Sequence, residues 1–209
     1  KHKVTRLIYI STDEIYGQLE TEWDKPWNEN DIPNPRNPYS VSKFAGELLV
    51  KAAYNTHGLL YNIIRPSNNY GPRQTPNKLI PSVIRSILND EPIKVDGDGR
   101  QLRDWMHVHD NCAAILRVLT NAATNEIYNV SAGQELSNIE VVQRICNSMN
   151  KGHNLISCIP DPRGQAHDFR YSTDSSKIRN LGWKPEIKFK DGLADGCIRW
   201  FTDNTWFLR

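Results

Sequence analysis

Short apolar runs alternate with amphipathic stretches along the chain. Leu7–Ile10 is a continuous apolar run that ends in polar residues, which predicts a buried parallel strand with a loop at its carboxyl end. Further strands are predicted at 60–64, 93–95, 127–130 and 155–159, and helices at 39–57, 78–88, 110–121 and 137–150. An irregular segment at 161–171 and two closing helices follow. This alternation is typical of an α/β fold.

Local signals mark several element boundaries. Segment 23–38 is rich in Asn, Asp and Pro and is predicted to be a surface loop, as is the polar segment 67–77. Gly58 is a suitable left-handed residue to end the first helix, and Ser137 with Glu140 forms a capping-box pattern at the start of the last long one. The apolar or small residues of the first helix keep helical spacing: Val41, Phe44, Ala45, Leu48, Leu49 and Ala52.

The charge balance restricts the classes of partner. The 209 residues carry 26 Lys+Arg and 24 Asp+Glu, a formal charge of +2, which argues against a nucleic-acid or polybasic membrane-binding surface. No apolar run approaches the ~20 residues of a membrane helix, and no signal-peptide pattern follows the basic start. We therefore expect a cytoplasmic protein without nucleic-acid or membrane partners.

The cysteines and histidines give no clear metal pattern. Cys112, Cys146, Cys158 and Cys197 show no C-x-x-C spacing, so we predict small buried hydrophobes in a reducing compartment, with a disulfide pair as the alternative. A His-x-His pair starting at His107 is predicted to cap a helix or face solvent, and no metal site is predicted.

Tyr39 and Lys43 are the first candidate catalytic pair. They stand at i and i+4, so one helix face carries both. A phenol with a pKa of about 10 is a poor base, but a nearby ammonium group favours the phenolate. The pair could take a proton from a hydroxyl while a hydride leaves the same carbon, and Lys43 could hold a cofactor ribose. Because this spacing is common by chance, an exposed pair at the helix start is the alternative.

The second candidate is the polar segment Ser11, Thr12, Asp13 and Glu14 at a strand end. In open α/β sheets, ligands bind at the carboxyl ends of the strands. Two consecutive carboxyl groups there could act as an acid and a base if their environments separate their pKa values. The alternative is a capping or turn cluster.

The order of these motifs along the chain narrows the choice. A strand, Thr12-Asp13-Glu14, Tyr-x-x-x-Lys, and the segment from Arg65 to Pro72 follow one another, and 78–81, 103–105, 128–130 and 181–185 match as well. From about residue 6 to 200, the chain resembles the extended short-chain dehydrogenase/reductase family that remodels nucleotide sugars. Within it, the chain is most similar to the 4,6-dehydratases that act on dTDP-glucose. Sister epimerases and decarboxylases usually carry small or hydroxyl residues in place of Asp13 and Glu14.

The resemblance implies NAD as cofactor and a reaction in three steps. Tyr39 deprotonates the C4 hydroxyl, which Thr12 hydrogen-bonds, and C4 passes a hydride to NAD. Glu14 then removes the C5 proton while protonated Asp13 donates to the departing C6 hydroxyl. The hydride finally returns to C6 and C5 is reprotonated. The product is a 4-keto-6-deoxy nucleotide sugar.

The resemblance also implies which residues bind ligands. The cofactor contacts are Ser11, Tyr39, Lys43 and Asn69. Substrate contacts beyond Thr12 are Asn68 at the sugar, Lys78 and Leu79 along the nucleotide, Lys94, Val95 and Asp96 at the base, mostly through backbone, and Arg103 at the diphosphate. Asn138, Arg163, His167 and Tyr171 complete the set. The alternatives are a surface ion pair of Arg103 with Asp104 and a first-turn helix position for Asn138.

One family feature is missing from the sequence. No Gly-x-x-Gly-x-x-Gly or Gly-x-Gly-x-x-Gly occurs, the turn that brings backbone to a pyrophosphate. We therefore expect the later part of a Rossmann-type parallel sheet (1–66) and a smaller α/β nucleotide-sugar-binding lobe (67–209), interleaved with the end of the sheet. The N-terminal βαβ cofactor half is expected to be absent, and this chain alone is expected not to turn over.

Three alternatives remain open. The chain could belong to a GDP- or UDP-sugar 4,6-dehydratase, to an epimerase, or to a non-catalytic nucleotide-sugar-binding module. A homodimer formed through the Tyr39 helix is implied by the resemblance, although the partner helix of that interface precedes the present chain.

Overall fold

The computed structural model describes residues 4–164 and 167–208. Its strands are β1 (Leu7–Ile10), β2 (Tyr61–Pro66), β3 (Asn68–Tyr70), β4 (Ile93–Asp96), β5 (Leu102–His107), β6 (Glu126–Val130), β7 (Glu135–Ser137), β8 (Ile156–Ile159) and β9 (Arg170–Tyr171). Its helices are α1 (Pro38–His57), α2 (Leu79–Leu88), α3 (Val108–Asn121), α4 (Asn138–Ser148), α5 (Ser176–Arg179), α6 (Phe189–Asp191) and α7 (Arg199–Asp203). A 3₁₀ turn covers Asp13–Tyr16, and a π-helical turn covers Gly192–Ile198.

Parallel pairing dominates the sheets. β1, β2 and β6 form a parallel sheet in the order β1-β2-β6, with Ile10 opposite Ile64 and Pro66 opposite Val130. In a second sheet β5 pairs with β3 and β9 in parallel and with β7 antiparallel. β4 and β8 form a parallel pair. The predicted α/β class is confirmed, and the carboxyl ends of β1 and β2 lie side by side at one edge.

Two main apolar cores, and a small third one of Val50, Tyr61 and Ile63, hold the described layers together. The larger joins α2, α4, β4 and the closing helical segments, and includes Ile84, Val95, Val142, Ile145 and Phe201. The smaller lies between the first sheet and α3, and includes Ile64, Met106, Val118 and Trp183. Burial of these side chains provides the main driving force for packing the layers.

Several boundary signals are confirmed. Gly58 ends α1 in the left-handed region at φ 68, and Ser137 with Glu140 forms the capping box of α4. The apolar spacing of α1, however, does not mark a fully buried face. Val41, Leu48 and Leu49 are 50%, 51% and 71% exposed.

The closing region and four strands differ from the sequence prediction. Strands β3, β7 and β9 have two or three residues each, and β5 carries Arg103 and Asp104 in its interior, so none shows a strand pattern. The two predicted closing helices are short pieces around the π-helical turn. Gly192 and Gly196 lie so close to Tyr70 and His107 that a Cβ would come within 2.5 and 2.9 Å of them.

The cysteine prediction is half wrong. Cys146 and Cys197 are buried, but Cys112 on α3 and Cys158 on β8 are exposed, and all four thiols are free. The residues next to Cys112 and Cys158 in sequence are largely apolar, which led to the wrong prediction that these two cysteines are buried.

His107 caps a helix, and the described residues contain neither a metal-ligand cluster nor a membrane-spanning helix. Nδ1 of His107 accepts the His109 backbone N–H at 3.3 Å and caps α3, as predicted for one of its two possible roles. In residues 4–164 and 167–208, no three His, Cys, Asp or Glu side chains are grouped as metal ligands. No helix in the same ranges is long and apolar enough to cross a bilayer.

Candidate active site

The site begins where β1 ends. Thr12 is the N-cap of the 3₁₀ turn, since its Oγ1 accepts the Glu14 backbone N–H at 3.3 Å. The same hydroxyl lies 3.3 Å from Oδ1 of Asp13, which is buried. The turn alternative is therefore correct as a local structure, and that turn fixes two consecutive carboxyl groups.

Asp13 is held in its protonated form at neutral pH. Burial, and next the negative charge of Glu14, raise its pKa to about 8, against the opposing effect of Arg103. Its Oδ2 is buried and has no hydrogen-bond partner among the described residues. A neutral carboxyl group with an unpaired oxygen suits a general acid.

Glu14 is oriented by a residue that the sequence interpretation missed. Nδ2 of Asn37 donates to Oε2 of Glu14 at 3.0 Å, and Oδ1 of Asn37 accepts the Ser40 N–H at 2.8 Å as the N-cap of α1. Asn followed by Pro38 at the first helical position is an N-cap signal that could have identified it. One side chain thus starts the helix and positions a carboxylate.

Tyr39 lies in the first turn of α1, where the charge of Glu14 acts on it. Its pKa is raised by partial burial, next by the Glu14 charge, while a hydrogen bond with Thr12 opposes the rise. The predicted lowering of the Tyr39 pKa is therefore wrong for this structure, because burial and Glu14 dominate. The Tyr39 phenol is protonated until a ligand changes these surroundings.

Lys43 is tied to the end of β1. Its ammonium group donates to the Ile10 carbonyl and lies 4.9 Å from the centre of the Tyr9 ring. Tyr9 in turn donates its hydroxyl to the Lys43 carbonyl at 3.1 Å. These contacts bring the Tyr-x-x-x-Lys helix against β1, the strand that ends two residues before Thr12.

Two unpaired polar atoms fit a cofactor next to this pair. Ser11 Oγ and Asn69 Oδ1 are buried without a hydrogen-bond partner in the described parts of the chain. Ser11 follows β1, and Asn69 lies just beyond β2 with its Nδ2 donating to the Ser67 carbonyl at 2.9 Å. Buried polar atoms normally have partners, so both indicate a polar ligand at this edge. Asn68, on the same short strand, is half-buried.

Arg103 approaches the carboxyl groups from β5. It is buried, stacks on the Tyr171 ring at 4.3 Å and donates to the Asp168 carbonyl at 2.8 Å. Asp104 points elsewhere, where it accepts from the Ser67 hydroxyl and the Ala132 N–H, both at 2.8 Å. The alternative of a surface Arg103–Asp104 ion pair is wrong.

The segment 161–171 carries a second set of predicted contacts. Arg163 pairs with Asp96 at 2.9 Å, and His167 hydrogen-bonds to Asp161. Tyr171 donates its hydroxyl to Asp168, and burial, next the Glu14 charge, raises the Tyr171 pKa. Tyr171 and Arg103 therefore belong to the acid–base region, whereas Arg163 and His167 lie with Asp96.

The other predicted nucleotide contacts are dispersed. Lys78 precedes α2 and is exposed, Leu79 begins α2, and Lys94 on β4 is exposed. The Val95 side chain is buried in the larger core, so only its backbone could face a ligand. Asn138 is the first residue of α4, as its alternative predicted, and its Nδ2 lies 3.4 Å from Gln101 Oε1. The elements that carry these residues are neighbours, since Leu79 packs against the same apolar core that contains Val95.

The sequence of the chain matches a known family and known proteins. Residues 1–196 match the family model described as GDP-mannose 4,6 dehydratase. A dTDP-glucose 4,6-dehydratase of Streptomyces niveus is 40% identical over 205 residues, which are 98% of this chain and 59% of that protein.

Solved structures of two nucleotide-sugar enzymes superpose on the chain. The dTDP-glucose 4,6-dehydratase DesIV of Streptomyces venezuelae, crystallised with NAD, superposes with a TM-score of 0.90 at 36% identity, over 96% of this chain and 61% of that chain. A UDP-glucose 4-epimerase of Thermotoga maritima gives 0.86 at 25% identity, over 96% and 64%. The predicted Rossmann-type α/β fold is confirmed. The chain spans about three fifths of the length of these proteins.

Proposed function

Because the chain belongs to the GDP-mannose 4,6 dehydratase family, we propose that its protein is an NAD-dependent nucleotide-sugar 4,6-dehydratase. The proposed reaction converts dTDP-glucose to dTDP-4-keto-6-deoxyglucose. One observation supports it most: Asp13, with a pKa of about 8, is a neutral acid directly beside Glu14. Besides the base at the C4 hydroxyl, elimination of water across C5–C6 needs one further acid and one further base, whereas a 4-epimerisation needs neither of these two.

The cofactor-facing residues have defined tasks in this proposal. Bound NAD would accept a hydride from C4 of the sugar and later supply it to C6. Ser11 and Asn69 offer their unpaired oxygens to it, and Lys43 lies within reach of its ribose. In its phenolate form Tyr39 takes the C4 hydroxyl proton, and Thr12, which lies close enough to hydrogen-bond Tyr39, orients that hydroxyl.

The elimination uses the two carboxyl groups of the turn. Glu14 takes the C5 proton with its carboxylate, held by Asn37. Asp13 gives its proton to the C6 hydroxyl, which leaves as water. Glu14 returns its proton to C5 as the hydride reaches C6, and Tyr39 releases the C4 hydroxyl proton as Asp13 takes one up, so the cycle ends without a net change of protons. Arg103 lies close enough to act on the charge of Asp13, and we assign the sugar diphosphate to its surroundings.

The remaining contacts form the nucleotide side of the proposal. Asn68 would meet the sugar, and Tyr171 would line the diphosphate next to Arg103. The base side comprises Lys78, Leu79, Lys94, Val95, Asp96, Asn138, Arg163 and His167. Since these residues are dispersed or paired with one another, they support the substrate class less strongly than the turn does.

The decisive experiment uses the full-length protein. Incubation with dTDP-glucose should yield the 4-keto-6-deoxy product, and GDP- and UDP-sugars serve as competing substrates. A matched pair of variants, Glu14→Gln and Asp13→Asn, should lose product. Unchanged product formation in both would contradict the assigned roles. A 4-epimer formed in place of the 4-keto-6-deoxy product would favour the epimerase alternative, which the similarity to a UDP-glucose 4-epimerase supports. Nucleotide-sugar binding without retained NAD would instead indicate a binding module.

The assembly and location are further parts of the proposal. The exposed apolar side chains of α1, Val41, Leu48 and Leu49, support a homodimer through this helix. The four free thiols are consistent with a reducing, cytoplasmic compartment. We also propose a division into 1–66 and 67–209, and that the 209-residue chain alone does not turn over. Sedimentation of the full-length protein and an assay of the isolated chain test these points.

A further inference from the structure

Arg65 is a buried cation outside the groups assigned so far. It lies on β2 with 2% of its surface exposed. It forms a bidentate ion pair with Glu47 of α1, in which Arg65 Nε donates to Oε1 at 3.0 Å and Nη2 donates to Oε2 at 2.7 Å. The Glu47 side chain is fully buried. This pair therefore connects the sheet directly to the helix that carries Tyr39 and Lys43.

The same guanidinium group also reaches the acid–base turn. Nη1 of Arg65 donates to the Tyr16 hydroxyl at 2.6 Å, and the cation lies 4.9 Å from the centre of the Tyr16 ring. Tyr16 ends the turn that Asp13 begins, and its hydroxyl donates to Asn129 Oδ1 at 2.8 Å. Burial raises the Tyr16 pKa to about 12, so the phenol stays neutral and can accept from Arg65.

The position of Glu47 on α1 makes this connection relevant to the site. Glu47 stands one helical turn after Lys43 and two turns after Tyr39, on the same side of α1. Its neighbour Gly46 packs on Tyr9 so tightly that a Cβ would lie 2.0 Å from the Tyr9 hydroxyl. The helix can therefore come no closer to β1, and the ion pair fixes its place relative to β2.

Stability alone does not explain a buried ion pair. Removing two charges from water is costly, and apolar side chains of equal volume often hold two elements together as well or better. A bidentate fork adds a defined direction and distance. A misplacement of about 1 Å at a reacting group can cost roughly 10²-fold in rate.

We propose that Arg65 is a positioning residue that holds the Tyr39–Lys43 helix, through Glu47, and the Asp13–Glu14 turn, through Tyr16, in one fixed geometry. The proposal rests on the proposed dehydratase function for its kinetic consequences. Its structural consequence, a fixed first turn of α1, can be measured without any activity.

The test uses three variants of the full-length holoenzyme. Arg65→Lys keeps the positive charge but cannot form the bidentate pair with Glu47. The double variant Glu47→Leu/Arg65→Met removes both charges, so no unpaired charge stays buried if the single variant fails to fold. Tyr16→Phe removes the hydrogen bond between Arg65 and the turn, together with the Tyr16–Asn129 hydrogen bond, and leaves the Arg65–Glu47 pair in place. The control is Arg6→Lys at the opposite end of the same sheet, where Arg6 Nε donates to Asn62 at 2.6 Å.

The expected kinetic result is a fall in kcat with little change in KM. For folded Arg65→Lys and the double variant, kcat should fall roughly 10- to 100-fold, while Arg6→Lys stays near the wild type. In Tyr16→Phe the elimination should slow while the transient absorbance of reduced cofactor, which reports oxidation at C4, still appears. Full kcat in a folded double variant would overturn the proposal.

Hydrogen exchange provides the second readout. The amides of residues 40–43 should exchange faster in the double variant than in the wild type and in Arg6→Lys. Unchanged protection there would overturn the positioning role, whatever the enzyme's activity. If the wild type forms no 4-keto-6-deoxy sugar but the exchange changes as expected, the dehydratase assignment fails and the positioning role stands.

Discussion

The acid–base region and the nucleotide side are built differently. Around Asp13 and Glu14, the side chains are joined by hydrogen bonds to Thr12 and Asn37, and a buried arginine lies beside them. On the nucleotide side, Lys78 and Lys94 are exposed, and Arg163 holds Asp96 through an exposed ion pair. Chemistry needs groups fixed before the substrate arrives, whereas binding residues can be ordered by the ligand itself. Substitutions in the acid–base region should therefore lower kcat more than substitutions on the nucleotide side.

The largest effect is expected for Tyr39→Phe. Loss of the phenolic proton acceptor should lower kcat by roughly 10³- to 10⁴-fold, at the upper end of what a positioned acid or base contributes. Product formation by mass spectrometry measures it. Tyr54→Phe, near the other end of α1, is the matched control and should keep wild-type activity. If both variants behaved alike, Tyr39 would not be the base.

The next effect concerns the proton on Asp13. Asp13→Asn should lower kcat roughly 10²- to 10³-fold, because an amide cannot supply a proton to the leaving hydroxyl. In the wild type, kcat/KM should fall as the pH rises through about 8, where the acid form of Asp13 in the free enzyme is lost. A wild-type pH profile without this alkaline limb would show that another group is the acid.

The same carboxyl group should affect folding stability with a defined sign. Its pKa rises from an ordinary 3.8 to about 8 on folding, so the folded state holds a proton that the unfolded state has released. The free energy of unfolding should therefore fall as the pH rises from about 4 to 8, and Asp13→Asn should remove that dependence. Chemical denaturation of both proteins at pH 5 and pH 8 gives the comparison. An identical pH dependence in the two would argue against a raised pKa.

The contrast between the two regions also explains what the sequence could predict. The strand end at Thr12–Glu14, the helix with Tyr39 and Lys43 and the capping box at Ser137 depend on neighbours in sequence, and the structure has them. The predicted direction of the Tyr39 pKa shift was wrong because an i,i+4 argument considers Lys43 alone. It omits the partial burial of Tyr39 and the charge of Glu14, both of which depend on the fold.

Buried charges were harder to predict than helices. Arginine is rarely buried, so Arg65 and Arg103 give no sequence signal of their actual environments. Adjacent residues of a strand face opposite sides, so Arg103 and Asp104 separate once β5 forms, and β5 itself lacks an apolar pattern. The burial of such groups depends on partners that are distant in sequence, such as Glu47 for Arg65 and Tyr171 for Arg103.

A smaller effect is expected at Asn37, and it separates catalysis from helix capping. Asn37→Asp keeps an N-cap but replaces the donor to Glu14 with a like charge, which should repel the Glu14 carboxylate from its position and lower kcat about 10-fold. Asn37→Ala should lower kcat similarly and also cost about 1 kcal/mol of stability through the lost cap. Thermal unfolding and kcat are measured together. A stability loss confined to Asn37→Ala, with kcat unchanged in both variants, would leave Asn37 as a cap only.

The smallest effect is expected for Arg163→Ala on the nucleotide side. Because the Arg163 side chain is 52% exposed in its pair with Asp96, the loss of stability should not exceed about 1 kcal/mol. If Arg163 binds substrate equally in the ground state and the transition state, KM should rise a few-fold while kcat stays unchanged. Arg100→Ala, which breaks an exposed Arg100–Asp98 pair at 3.3 Å, is the matched control and should change neither constant. A fall in kcat for Arg163→Ala as large as that for Asn37→Asp would show that the nucleotide side is as strictly positioned as the acid–base region.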